Sequence, residues 1–221
     1  MEKSNGKNKE KGLTLIECLV AIAVIASTIG VIAPITVLAV ATRVQNQRAE
    51  QAFHIAQSEI DRVRLMIERG GNYTLSDIAS STAGVAVSDL NSVPPPEDIN
   101  DIGASTTTTN AKAVDINNNG ENDFAVQIFR TNNPDGINAS GQPVAFELGV
   151  RVYKARAVEN YTAEELSSEQ ASLTLTSGEG QGTIRPLSVI YTTIVKSDRQ
   201  ESLCDYYRYI DSAASTPGSC S

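Results

Sequence analysis

The chain has 221 residues, of which 41% are hydrophobic and 20% charged. Those values fit one domain with or without an appendage, and they exclude a polytopic membrane protein, a collagen-like chain and a wholly disordered one. A net charge of −8 argues against a phosphate-tracking nucleic-acid binder, and three cysteines with one histidine exclude a disulfide scaffold and a multi-histidine metal site.

The averages hide a sharp change along the chain. The first twelve residues, MEKSNGKNKEKG, carry four lysines and two glutamates, for a net +2. From Cys18 to Thr42 run 25 residues without a charge, mostly Ala, Val, Ile and Leu. As a helix this run is roughly 38 Å long, enough to cross a hydrocarbon core of about 30 Å with some tilt. A buried core helix would carry polar residues along one side, and this run is apolar all round. Basic residues ahead of the span hold the N-terminus in the cytoplasm, so the chain after Thr42 is exported. The run is longer than a secretory signal core, and no convincing A-x-A-like site follows it.

Two residues are unusual for a plain anchor. Glu17 stands at the edge of the apolar run, where an acid inside the bilayer is expensive and functional by default. Pro34 lies within the span, where it removes one helical hydrogen bond. Each has a bland reading alone: a carboxylate at the headgroups and a tolerated kink.

Gly12-Leu13-Thr14-Leu15-Ile16-Glu17, behind a basic leader and ahead of an apolar run with a proline, resembles the processing motif of type IV pilins and type II secretion pseudopilins. Leu13 stands where the family more often has Phe. Glu17 and Pro34 fall at the family's usual positions, five and twenty-two residues into the mature chain. The resemblance covers the leader and the long first helix, about 55 residues. It implies that a prepilin peptidase cuts between Gly12 and Leu13, and that the new amino group of Leu13 is methylated. Glycine suits the cut because it lets the backbone approach the protease closely.

The resemblance further implies partners and a place. The partners are other pilin or pseudopilin subunits, an inner-membrane assembly platform and its ATPase. The place is a single inner-membrane span with a periplasmic head, and then a pilus or pseudopilus. In the filament the Glu17 carboxylate would pair with the charged N-terminus of a neighbouring Leu13, because an unpaired charge in an apolar filament core costs several kcal/mol. Pro34 would let a stretch of helix extend as subunits pack. Glu17→Ala is expected to leave insertion intact and to weaken assembly.

The helix is expected to continue from Arg43 to Arg69, which holds neither Gly nor Pro, and to stop at Gly70-Gly71. Ala52, Ala56, Ile60, Val63 and Ile67 form one apolar stripe. His54 lies off the stripe and reads as exposed. From Thr14 the helix would be about 56 residues and roughly 84 Å long, a stalk under a head.

The head comprises residues 70–221. Residues 70 to 122 are rich in Ser, Thr, Asn, Gly and Pro, and read as a long surface connection with a short helix near Leu75–Ala79. Four strands are expected after it: Phe124–Arg130, Val144–Lys154, Ala171–Thr176 and Leu187–Lys196. Turns are expected at 132–136, 140–141 and 178–182, and a short helical insertion at Tyr161–Gln170. The expected fold is α+β, a long helix on an antiparallel sheet of about four strands.

Two local constellations remain. Cys204 and Cys220 flank fifteen residues. The export argument puts both in an oxidising compartment, where a disulfide is expected and would contribute about 3 kcal/mol. Type IV pilins commonly carry a C-terminal disulfide loop. Tyr206, Tyr207 and Tyr209 inside this one read as a contact surface or as core. Cys18 reads as a small apolar residue of the membrane helix.

Asp115, Asn117, Asn119, Glu121 and Asp123, with Gly120 among them, have the alternating oxygen pattern that opens a calcium loop. Val126 stands where an EF-hand needs its bidentate Glu. Two readings stand, a weak calcium site or an Asx-rich turn entering the next strand.

The chain offers no G-x-S-x-G, no phosphate loop and no histidine triad, so it reads as non-enzymatic. A filament subunit is therefore expected. The alternative is an uncleaved single-span protein with a sensing or ligand-binding head. The opening averages now divide. With the +2 leader removed from −8, the mature chain carries −10, and the acidic character belongs to the head.

Overall fold

A computed structural model describes residues 14–70, 73, 78, 80–82, 90–100, 108–131, 136–137, 142–172, 182–197, 204, 206–207 and 209–210. The chain divides into two compact units, Met1–Gln45 and Asn46–Ser221.

Helix α1 covers Leu15–Arg69. Gly70 ends it with a φ of 62° and an amide donated to the Ile67 carbonyl, the left-handed cap expected of a glycine there. In the first unit the helix carries no charge from Cys18 to Thr42, and its described side chains are almost all exposed. It is the one helix among the described residues long and apolar enough to cross a membrane.

In the second unit the same helix is amphipathic. Ala49, Ala52, Ala56, Ile60, Val63 and Ile67 are buried, which is the stripe read from spacing with one residue added. His54 is exposed, as expected.

The sheet has six strands: β1 (Ser80–Thr82), β2 (Asp98–Asn100), β3 (Asn110–Val114), β4 (Phe124–Thr131), β5 (Ala145–Lys154) and β6 (Ser188–Val195). Its order is β2-β3-β4-β5-β6, with β1 pairing β4. The α+β fold expected from sequence, a long helix on a sheet, is present, and the antiparallel sheet of about four strands is extended to a mixed one. Strands β3 to β6 are antiparallel to their neighbours, but β2 runs parallel to β3 and β1 parallel to β4. Both parallel additions are three-residue strands from the polar connection, too short to show a period-2 pattern.

The strands expected at 124–130, 144–154 and 187–196 are all present within a residue or so at each end. Most of the expected strand Ala171–Thr176 and helix Leu75–Ala79 lie outside the described residues, as do most of the expected turns. β3 lies inside the segment read as connection. The helical insertion expected at 161–170 is also corrected. The helix is α2, Ala155–Asn160, directly after β5. Thr162 and Glu165 start a turn, with the Glu165 carboxylate accepting from the Thr162 amide. It goes no further, because the Ser167 amide is drawn to the Ile184 carbonyl instead.

Antiparallel register gives the sheet two different faces. Phe124, Val126 and Ile128 of β4, with Phe146, Leu148, Val150 and Val152 of β5, form the core under the α1 stripe. The alternate residues face the other way. There Arg151 is fully buried opposite Gln127. Arg151 donates to the carbonyls of Val93 (2.7 Å) and Leu90 (3.0 Å) and to the Tyr191 hydroxyl (3.0 Å), and lies over the Phe129 ring. Gln127 donates to the carbonyls of Pro94 and Thr108. These two side chains fasten the connection to the sheet by satisfying its otherwise buried carbonyls. Gly149 leaves room for the arrangement, since a Cβ there would collide with the Phe129 ring.

Candidate functional site

The first described residue of the N-terminal segment is Thr14. Its amide and its hydroxyl both donate to Glu17 Oε2 at 2.9 Å, and the Glu17 amide donates back to the Thr14 hydroxyl at 3.4 Å. This is a reciprocal capping box: two orphan donors of the first helical turn are satisfied by side chains three residues apart. A carboxylate here also suits the positive end of the helix dipole. From sequence Glu17 has two readings, a carboxylate at the headgroups and an intermolecular pairing role, and neither is local to the helix. The T-x-x-E spacing carried the local one and was overlooked. Glu17 Oε1 accepts no hydrogen bond among the described residues, so one oxygen stays open to a partner.

The apolar run that follows keeps its few hydroxyls satisfied. Ser27, Thr28 and Thr42 donate their hydroxyls to the carbonyls of Val24, Ile25 and Leu38. Each hydroxyl is thus satisfied inside its own helix, which removes the penalty of an unpaired polar group in hydrocarbon. Pro34 lies inside α1. Having no N–H, it cannot donate to the Gly30 carbonyl four residues back, and its ring crowds that carbonyl. Gly12 and Leu13 lie outside the described residues.

The remaining candidates are apart from this segment. Cys204 is buried, and Cys220 lies outside the described residues. Tyr209 is buried, and burial pushes its phenol up to about 12. Tyr207 is exposed, so the tyrosines divide between core and surface.

In the Asp115–Asp123 loop, Asp115 accepts from the amides of Gly120 and Asn118, and the loop amides, Gly120 foremost, outweigh burial to hold its carboxyl below the usual range. Asp123 accepts from the Ile116 amide and the Asn117 side chain. Asn117 and Asn119 accept from the amides of Asn119 and Glu121. Glu121 pairs with Arg156 at 3.6 Å. Among the described residues no three His, Cys, Asp or Glu side chains are grouped to hold a metal ion. The loop closes on its own amides, with Asn118 at φ 55° and Gly120 at φ 86°.

One further charged site was not foreseen. Glu59, on the buried side of α1, pairs with Lys112 of β3 at 2.8 Å and with Arg62 at 2.6 Å. Burial pushes its carboxyl up, and the bonds from Lys112 and Arg62 more than offset this, leaving it below the ordinary value. Nothing in a single sequence pairs residues 53 positions apart.

Residues 7–33 match the family described as the prokaryotic N-terminal methylation motif. The match takes in the end of the leader, the capping box and most of the span up to Pro34. It points to pilin- or pseudopilin-type processing, and with the apolar helix it fits a membrane-anchored protein. No curated protein and no solved structure shows significant similarity to the chain.

Proposed function

We propose that the chain is a structural subunit, a minor one, of a type IV pilus or a type II secretion-like pseudopilus. In this reading prepilin peptidase cuts after Gly12 and the amine of Leu13 is methylated. The apolar half of α1 then leaves the bilayer and packs among neighbouring subunits, with the head on the periplasmic side or at the cell surface. The platform and its ATPase supply the work of extraction. The observation that carries the reading is the methylation motif at residues 7–33 running directly into a helix of membrane-spanning length. The α+β head, with an amphipathic helix laid on a sheet, agrees with it.

The chemistry of the segment supports the same role. The capping box fixes the first turn, and the open Oε1 of Glu17 gives the carboxylate a site for a neighbour's amine. A disulfide between Cys204 and Cys220 is part of the proposal. Cys204 is buried and Cys18 carries a free thiol, which supports a pairing of Cys204 with the one remaining cysteine. The Asp115–Asp123 loop enters as a structural turn, and calcium as its test: added calcium or a chelator should leave the melting temperature of the head unchanged. A clear rise with calcium would make the loop a metal site.

Mass spectrometry of the mature N-terminus tests the whole reading. A chain that begins at an N-methylated Leu13 is expected. A chain isolated from its native membrane with residues 1–12 still attached would overturn it, and would favour an uncleaved single-span protein with a sensing head.

A further inference from the structure

The two edges of the sheet are finished differently. On one, β2 has three residues and begins with Asp98. Short length and charge are the usual guards of an edge strand against pairing. On the other, β6 has eight residues, Ser188–Val195, with no charge, proline or glycine. The Lys196 amide donates to the Val144 carbonyl, which continues the β5–β6 register and fixes the direction of each amide. By the alternation of an antiparallel ladder, Ile190, Thr192 and Ile194 bond inward to β5, and Val189, Tyr191, Thr193 and Val195 turn their backbone groups outward. Among the described residues nothing accepts from those four outward amides. Thr193 is exposed, and Val189 and Tyr191 are partly so. A row of outward donors and acceptors at that spacing is a template for one more strand.

Beside this edge lies a cleft of about 460 Å³, lined by Leu90, Asn91, Glu147, Tyr191, Thr192 and Thr193. Glu147 is the one charged group among those residues. It stands opposite Thr193 in the register, on the face of the sheet turned away from the α1 stripe. No cation among the described residues pairs with its carboxylate. Arg151, on the same face, gives its donors to Val93, Leu90 and Tyr191. Glu147 is half-buried, and burial holds its carboxyl above the ordinary value. A partly desolvated carboxylate without a cation gains from a basic group brought to it. We propose that the β6 edge and the Glu147 cleft together form a docking site for an extended segment of a partner protein, which adds as a strand beside β6 and sets a lysine or arginine on Glu147. Backbone hydrogen bonds supply the attachment, and the basic side chain supplies the selectivity. The site lies wholly in the second unit, so it stands or falls apart from the filament reading.

The test uses the full chain in detergent micelles and a blocked peptide of alternating valine and threonine with a central lysine, matched in length to β6. Residue-resolved hydrogen exchange reads the edge, and the anisotropy of the labelled peptide reads affinity. The peptide should slow exchange of the Tyr191 and Thr193 amides by about tenfold or more, which is the protection a new ladder confers. Replacing the peptide's lysine by glutamate should weaken binding about tenfold, the worth of one charge-assisted hydrogen bond, and so should Glu147→Gln in the protein. Glu147 has no ion pair to lose, so that variant should melt as wild type does. A peptide N-methylated on the amides that would face β6 keeps every side chain and should not bind. Unchanged exchange at Tyr191 and Thr193 under saturating peptide would overturn the proposal. So would equal binding of the N-methylated peptide, or equal affinity of wild type and Glu147→Gln. Slow exchange at those amides without peptide, increasing with protein concentration, would overturn it in favour of a second copy of the chain seated on β6.

Discussion

The two halves of α1 use the same residue type for different ends, and two glutamates show it. Glu17, in the apolar half, is held by a single threonine three residues away, and one of its oxygens is open. Glu59, in the amphipathic half, is buried and held by Lys112 across the interface with the sheet and by Arg62 on the helix. The first arrangement is local and leaves capacity for a partner. The second is long-range and closed. In the apolar half the carboxylate keeps an oxygen open, and in the half laid on the sheet both of its oxygens are engaged.

The comparison breaks most visibly with one substitution placed in each half. Ala56 is fully buried against the sheet. Ala56→Asp would bury an unpaired carboxylate and overfill a close contact, at a cost of about 4 kcal/mol or more. Loss of the cooperative melting transition of the head, with rapid proteolysis, is expected. Ala26→Asp places the same acid in the apolar half, where it opposes insertion by about 3 kcal/mol and should leave the head's melting unchanged. Membrane fractionation and circular dichroism read the two effects separately. A head that melts normally with Ala56→Asp would mean the stripe is not the core.

A smaller change is expected from truncation within the stripe. Ile67 is 1% exposed and packs with the core under β4 and β5. Ile67→Ala should destabilise the head by about 2–5 kcal/mol, seen as a lower urea midpoint at unchanged slope. No shift in the midpoint would place the last turn of α1 outside the cooperative unit.

The difference in legibility between regions follows the range of the interactions. The span, the stripe and strands β4, β5 and β6 were readable because each announces itself in a short window, by an uncharged run or by a period. The T-x-x-E box was equally local. It was overlooked because the carboxylate had already been given another use. Arg151 was not readable at all. A lone arginine in a strand signals exposure, and only the Leu90–Val93 stretch lying over it supplies the carbonyls that let it be buried. Glu59 likewise looked like one of many helical acids until β3 brought Lys112 to it. The two short parallel strands come from the polar connection, and so the mixed character of the sheet was hidden.

Glu59 sharpens the comparison at a lower magnitude, and through pH. Its carboxyl is held below the ordinary 4.5, because the bonds from Lys112 and Arg62 outweigh burial. A depressed folded pKa means the pair stabilises the head above that ordinary value, and the contribution is lost as the pH falls through the folded pKa. Glu59→Gln should therefore cost about 1–3 kcal/mol at neutral pH. The gap between wild type and variant should close as the solution is acidified below the ordinary carboxylate range. Parallel melting curves across that range, with a constant gap, would show that the ion pair contributes nothing.

Glu17 is expected to have the smallest effect on the head and the most specific effect on function. The capping box and the proposed pairing with a neighbour's amine make separable demands. The box needs an acceptor oxygen three residues from Thr14, which Gln supplies as well as Glu. The pairing needs a negative charge, which Gln lacks. Glu17→Gln should thus preserve the first helical turn, insertion and head melting, yet reduce incorporation into filaments as strongly as Glu17→Ala does. Thr14→Val is the converse. It removes the hydroxyl and weakens the cap by about 1 kcal/mol, but keeps the charge, so incorporation should fall less than with either Glu17 variant. Quantifying each variant in sheared filaments against its level in the membrane ranks the two demands. If Glu17→Gln assembles as wild type does while Glu17→Ala does not, the carboxylate serves the cap alone, and no charge pairing is needed in the filament.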